Sequence, residues 1–240
     1  MKFFNWINIR LVLMIALVIF LFSFATIRNE HRKLSKTEII FPPNEPLFIS
    51  RESVNKLLIE NKSDVKSIAK LELNLEKLEK TINAQPMVEK SEVFVSVDGV
   101  LKVKVKQKTP VARVFDEQGS FYIDNKGDKM PLSDLNTARV PLLTGTIDAV
   151  KKEQLRNVLN AIYKDDFLKK NIIGIEVFPN QTFLMKNRNY NFDIEFGSAV
   201  NIENKFKNYK AFFQKEVLDS TLYKYKKINL RYAHQVVCSR

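Results

Sequence analysis

The spacing of apolar residues changes along the chain, and each change predicts an element. From Leu11 to Ile27 the sequence LVLMIALVIFLFSFATI carries no charge. With Trp6 to Arg10 it makes about twenty residues, the length of helix that crosses ~30 Å of hydrocarbon at ~1.5 Å per residue. Beyond Pro42-Pro43, Ser50 precedes Val54, Leu57 and Leu58 at i, i+3 and i+4, which predicts a capped amphipathic helix. Asn74 opens a second helix, with Leu73 placed to staple onto Leu78, an apolar stripe of Leu75, Leu78 and Ile82, and Pro86 at its exit. The pattern then alternates in SEVFVSVDGVLKVKVK, a β-hairpin turning at Asp98-Gly99. A two-residue loop there mixes the faces. A three-residue loop, Val97 to Gly99 with Gly99 left-handed, pairs Val95 with Leu101 and Val93 with Val103, and it sends Lys102, Lys104 and Lys106 outward with Glu92 opposite Lys104. With the stretch Glu38 to Phe41 ahead of the helices, this unit reads β-α-α-β-β.

The remainder alternates strand and helix signals. Val111 to Phe115 and Phe121 to Ile123 predict short strands. Leu155, Val158, Leu159 and Ile162 predict a helix, and Asp165-Asp166 after it a solvated turn. Ile172 to Phe178, Thr182 to Met185 and Tyr190 to Phe196 read as an antiparallel meander around Pro179-Asn180. Ile202, Phe206, Tyr209, Phe213 and Val217 make a last amphipathic helix whose aromatic stripe is core. In the final segment Ile228, Leu230 and Tyr232 alternate with Asn229, Arg231 and Ala233. Such a strand, if it lies at the sheet edge, offers unpaired backbone groups to which a partner peptide adds.

Chemistry is sparse. The single cysteine, Cys238, allows no internal disulfide. His31 and His234 are the only histidines, which leaves both a metal cluster and a Ser-His-Asp set short of members. The loop Asp124 to Asp128 puts Lys126 at the third and Lys129 at the sixth position of a calcium loop, so it is a turn. There is no glycine-rich phosphate loop. The formal charge of +12 comes from scattered Lys and Arg with no nucleic-acid-binding signature, and it suits a chain held beside anionic headgroups. The expectation is therefore no enzyme, no metal, no cofactor and no nucleic-acid partner. Ser23-Phe24-Ala25 also fits a cleavage site, so the apolar run reads either as an anchor, the favoured choice, or as a cleaved signal peptide. Lys2 and Arg10 before the span are outnumbered by Arg28, Arg32, Lys33 and Lys36 after it, against the positive-inside rule. Large domains translocate largely regardless of such charges.

Leu101-Lys102-Val103-Lys104-Val105-Lys106-Gln107-Lys108-Thr109-Pro110-Val111-Ala112, behind the Pro86-Met87-Val88 exit, is similar to the junction of the POTRA and β domains in the FtsQ/DivIB cell-division family. Phe121-Tyr122-Ile123-Asp124 with Gly127, Met130-Pro131-Leu132, Val140-Pro141-Leu142 and Thr144-Gly145 continue that family's pattern in order. Ile228-Asn229-Leu230-Arg231-Tyr232 resembles its last strand, with Asn229 where Asp is usual. The resemblance implies an α+β chain: a short cytoplasmic tail (1–10), a transmembrane helix (11–27), a linker (28–36), a POTRA domain (37–108) and a mainly antiparallel β domain with two helices (109–237). It further implies a divisome scaffold in the inner membrane, its globular part periplasmic and enriched at the septum. FtsB-like and FtsL-like partners would dock on Leu230, Arg231, Tyr232, Ala233, His234 and Gln235, acting ultimately on the synthases FtsW and FtsI. Arg231 would pair with an acidic partner residue and Tyr232 would pack, although each equally suits a purely structural place. The alternative is a POTRA-bearing transport or outer-membrane assembly component.

Overall fold

The computed structural model describes residues 6–30, 34–43, 45–58, 73–116, 119–232 and 235–240. Helix α1 (Trp6–Glu30) is apolar and exposed along its length, and its segment Asn8–Arg28 is long and apolar enough to cross a membrane. Arg10 lies over the Trp6 ring at 5.6 Å. The chain divides into two compact units, Met1–Gln107 and Lys108–Arg240.

The first unit contains β1 (Lys36–Ile40), α2 (Arg51–Leu58), α3 (Leu75–Asn83), β2 (Val88–Val95) and β3 (Val100–Gln107), with the strands in the order β1-β3-β2. Ser50 caps α2 by accepting from Ser53 N, and Asn74 caps α3 by accepting from Lys77 N, each at 2.9 Å. The hairpin register is the one parity demands: Val93 faces Val103, Val95 faces Leu101 and Glu92 faces Lys104, with Gly99 left-handed at φ 79°. Val54, Ile82, Val93, Leu101, Val103 and Val105 meet in the core. At the far end of α3 the Asn83 side-chain oxygen accepts from both Ser91 N (2.6 Å) and Ser91 Oγ (3.0 Å), which ties that helix to β2. Gln107, buried, holds the 46–49 segment: its Oε1 accepts from Phe48 N (2.7 Å) and Ile49 N (3.1 Å), and its Nε2 donates to Pro46 O (3.2 Å). Those groups are covered, and a buried N–H without an acceptor is costly.

The second unit is one mixed, mostly antiparallel sheet of nine strands. Its strands are β4 (Pro110–Asp116), β5 (Gly119–Asp124), β6 (Lys129–Met130), β7 (Leu142–Gly145), β8 (Ile172–Val177), β9 (Phe183–Asn187), β10 (Asp193–Gly197), β11 (Lys227–Asn229) and β12 (Val237–Ser239), in the spatial order β12-β11-β10-β9-β8-β7-β4-β5-β6. Three pairings are parallel: β4 with β7, β7 with β8, and β10 with β11. Three helices accompany the sheet: α4 (Lys152–Lys164), α5 (Asp166–Asn171) and α6 (Ile202–Leu218). Along β8, β9 and β10 the buried apolar residues include Ile172, Ile175, Val177, Phe183, Met185, Ile194 and Phe196, which share one core with Leu155, Val158, Leu159 and Ile162 of α4 and Phe206, Tyr209 and Phe213 of α6. Val217, expected in that stripe, is 43% exposed at the end of its helix.

Asp165-Asp166 is not a solvated turn. Asp165 caps α5, accepting from Phe167 N and Leu168 N at 3.0 Å each, and pairs with Lys210 of α6. Burial raises its pKa, but Lys210 and the two backbone donors outweigh it and the carboxyl stays below the usual range. The turn Asp124 to Asp128 is closed by Asp124 Oδ1, which accepts from Lys126 N and Asp128 N.

The parallel step at β7 depends on Gly145. Its φ is +86°, and a Cβ there would lie 2.2 Å from Val177 O, the carbonyl to which Thr146 N donates. Gly174, on β8, has only ordinary 3.5 Å neighbours. Gly145→Ala is therefore expected to destabilise the chain by about 2–3 kcal/mol and Gly174→Ala by under about 1 kcal/mol, read as midpoints of urea unfolding. Equal midpoints for the two variants would show that the contact is not required.

Candidate partner-binding site

The surface suggested by the sequence lies where β10, β11 and the segment after it converge. β11 sits between β10 and β12: Ile228 pairs with Ile194 on one side and with Cys238 on the other. The edge expected at residues 228–233 is thus displaced. β12 forms the rim, and β11 ends at Asn229 because the next residue is drawn inward. Leu230 is buried, and its N–H donates to Glu195 O at 2.9 Å. Leu230, expected at the partner face, is a core residue.

Glu195 organises the polar groups around the end of β11. Its carboxylate accepts from Asn229 Nδ2 at 3.3 Å and lies 3.6 Å from Arg231 Nη2 and 3.7 Å from Lys227 Nζ. Asn229 Oδ1 in turn accepts from Arg231 N at 2.9 Å. Arg231 crosses Gly197, where a Cβ would stand 2.9 Å from Arg231 Cγ, so the absence of a side chain at the end of β10 gives the arginine its path. The Arg231 side chain remains 55% exposed and Tyr232 52% exposed, and Gln235 is exposed too. Ala233 and His234 lie outside the described residues. Of the six residues expected here, the fold brings Arg231, Tyr232 and Gln235 to the surface, in the segment between β11 and β12.

The loop under Arg231 rests on a buried lysine. Lys205 of α6 is 4% exposed; its Nζ donates to Phe196 O (2.9 Å) and Ser198 O (2.8 Å) and lies 4.7 Å from the Phe196 ring centre. Burial, with Arg231 nearby adding repulsion, pushes its pKa down. On the other side of the rim, burial and the Glu216 carboxylate push the Cys238 thiol up to about 11, which keeps it protonated and unreactive at neutral pH. Among the described residues no cluster of three or more His, Cys, Asp or Glu could hold a metal ion.

Glu195, Lys205 and the strand Val237–Ser239 were not singled out in the sequence. Lys205 carried a usable signal as a charge beside Phe206 on the apolar side of a helix. Glu195 had none.

The nine-stranded sheet with its helices, following an apolar helix of membrane-spanning length, defines a two-unit α+β protein. A family model described as "FtsQ/DivIB, C-terminal related" matches residues 109–239, more than half of the chain. The chain belongs to this family, and its role lies in cell division. No curated protein matches the chain.

Lys205 makes the support of this surface testable by pH. Its folded pKa lies below that of the unfolded chain, so between the two values the unfolded state binds more protons and stability rises with pH. Below both values the cost of burying the charge is fully present. Lys205→Met removes the titration and leaves two carbonyls without their donor. Urea unfolding is expected to show the wild type gaining on the variant as pH climbs from neutral toward the lysine range. A difference that stays flat or shrinks would contradict the assignment.

Proposed function

We propose that the chain is a non-enzymatic scaffold of the bacterial divisome, held in the inner membrane by α1 and presenting β12 and the 231–235 segment to a partner that adds a strand. Family membership supports the division role. The observation that carries the docking mode is the open rim at β12, the outermost strand of the sheet, with Arg231 and Tyr232 exposed in the segment that follows its neighbour β11. An edge strand's unpaired backbone groups accept another strand whatever its sequence, and flanking side chains select it. Arg231, oriented by Glu195, suits an acidic partner residue, and half-exposed Tyr232 supplies apolar area at small entropic cost.

In this reading the first unit, with its β-α-α-β-β order, is a POTRA domain. Both units lie on the periplasmic side, enriched at the septum. The partners are FtsB-like and FtsL-like proteins, through which the septal synthases FtsW and FtsI are recruited or regulated. The mechanism is assembly: it needs a rigid platform, and the buried core beneath β10 and β11 provides one.

In-cell photo-crosslinking at successive positions from 228 to 239 tests the reading. Capture of a small coiled-coil division protein, strong at alternate positions of 237–239 and weak at 228 and 230, is expected. Arg231→Glu with Tyr232→Ala is expected to abolish most of that capture while moving the unfolding midpoint by less than about 1 kcal/mol, since both side chains are largely exposed. Capture of outer-membrane precursors alone would favour the transport alternative, and loss of folding in the double variant would make the two residues structural.

A further inference from the structure

A second surface in the same unit lies apart from the residues of the rim. Between the turn at 124–128, one face of α4 and the start of α6 runs a cleft of about 560 Å³, within the ~300–1,000 Å³ of ordinary ligand sites. Three cations line it, Lys126, Arg156 and Lys164, against one carboxylate, Glu203. Arg156, Asn160 and Lys164 follow at i, i+4 and i+8 on α4, which places them on one side of the helix, away from buried Leu155, Leu159 and Ile162. The two charges on α4 are barely compensated. Arg156 reaches Glu153 at 3.8 Å with both side chains well exposed, a contact worth little. Lys164 has no ion pair among the described residues. Ile202 and Glu203 belong to the first turn of α6, whose cap residue Asn201 gives no side-chain acceptor, so the positive end of the helix dipole adds to the field.

The cleft also asks for donors. Asn125, Asn157 and Asn160 line it, and Asn160 Nδ2 donates to Asn125 O at 2.9 Å, fixing the turn to α4. Asn125 Oδ1 is buried with no hydrogen-bond partner among the described residues. A ligand that fills such a site carries negative charge for the cations and N–H groups for the amides. An inorganic anion supplies only the first, whereas a peptide with acidic side chains supplies both.

We propose that this cleft binds a short acidic peptide segment of a partner protein, its carboxylates on Lys126, Arg156 and Lys164 and its backbone N–H groups on the asparagines. The site is independent of strand addition at β12, so either can fail without the other.

The test is fluorescence anisotropy on the full chain in detergent micelles, with a labelled hexapeptide of alternating glutamate and glycine and its glutamine counterpart. The glutamate peptide is expected to bind and to weaken with salt. Arg156→Gln with Lys164→Gln is expected to weaken it about tenfold, and Lys215→Gln, at the far end of α6, less than about twofold. Inorganic phosphate is expected to compete poorly. Three results would each overturn the proposal: equal binding of the glutamine peptide, an equal loss in the Lys215→Gln variant, which would mean diffuse attraction to a basic chain, or full displacement by phosphate, which would mean a small-anion site.

Discussion

The second unit is governed by the need to pair the backbone groups of a nine-stranded sheet. Hairpins satisfy most of that demand between neighbours in sequence, but β7 and β11 enter as parallel strands, each from a distant part of the chain. Two strands of these parallel pairs, β7 and β10, end in left-handed glycines. Gly145 closes β7 against Val177 O, and Gly197 ends β10 where Arg231 passes. The ladder therefore stays continuous from β6 to β12, and its open margins are reduced to strands of two and three residues. A rim this short is a modest aggregation hazard and a specific place to dock.

Because the shared core draws on Ile175, Val177, Met185, Ile194 and Phe196, the alternate positions are left for polar groups: Glu176, Lys186 paired with Asp193, Glu195 and Asn229. Polar and charged groups thus concentrate on one face of β8 to β11 as a consequence of alternation. Glu195 takes its place because it is the outward residue between two inward ones, and Lys227, Asn229 and Arg231 gather round it from the neighbouring strand. Lys205 completes the arrangement from beneath, supplying donors to carbonyls that the end of β10 leaves unpaired. Burial and polar satisfaction together make Arg231 a directed side chain rather than a free one.

Much of this was legible in the sequence. The hairpin at Asp98-Gly99 followed from parity, α4 and α6 from their apolar periods, and the family resemblance from ordered short motifs. Four features were hidden for physical reasons. β7 and β12 are too short for alternation to show, and their strand character comes from neighbours supplied by other parts of the fold. The meander's later strands begin further on than their apolar runs suggest, because Tyr190 stacks on Phe192 in the turn before β10. Leu230 and Tyr232 look equivalent at alternate positions, yet the chain leaves the sheet between them, so one is core and the other surface. The acidic pair at 165–166 hid a helix cap, since a local hydrogen bond to the backbone leaves no periodic trace.

If a division partner extends this sheet at β12, as proposed, the backbone N–H groups of that strand become protected from solvent. Amide hydrogen exchange on the full chain in detergent micelles, alone and with a co-expressed coiled-coil partner, measures that protection. The account predicts new protection at Val237, Cys238 and Ser239, with little change at the opposite margin, Lys129 and Met130. Protection absent from β12, or appearing at Lys129 and Met130 instead, would contradict it.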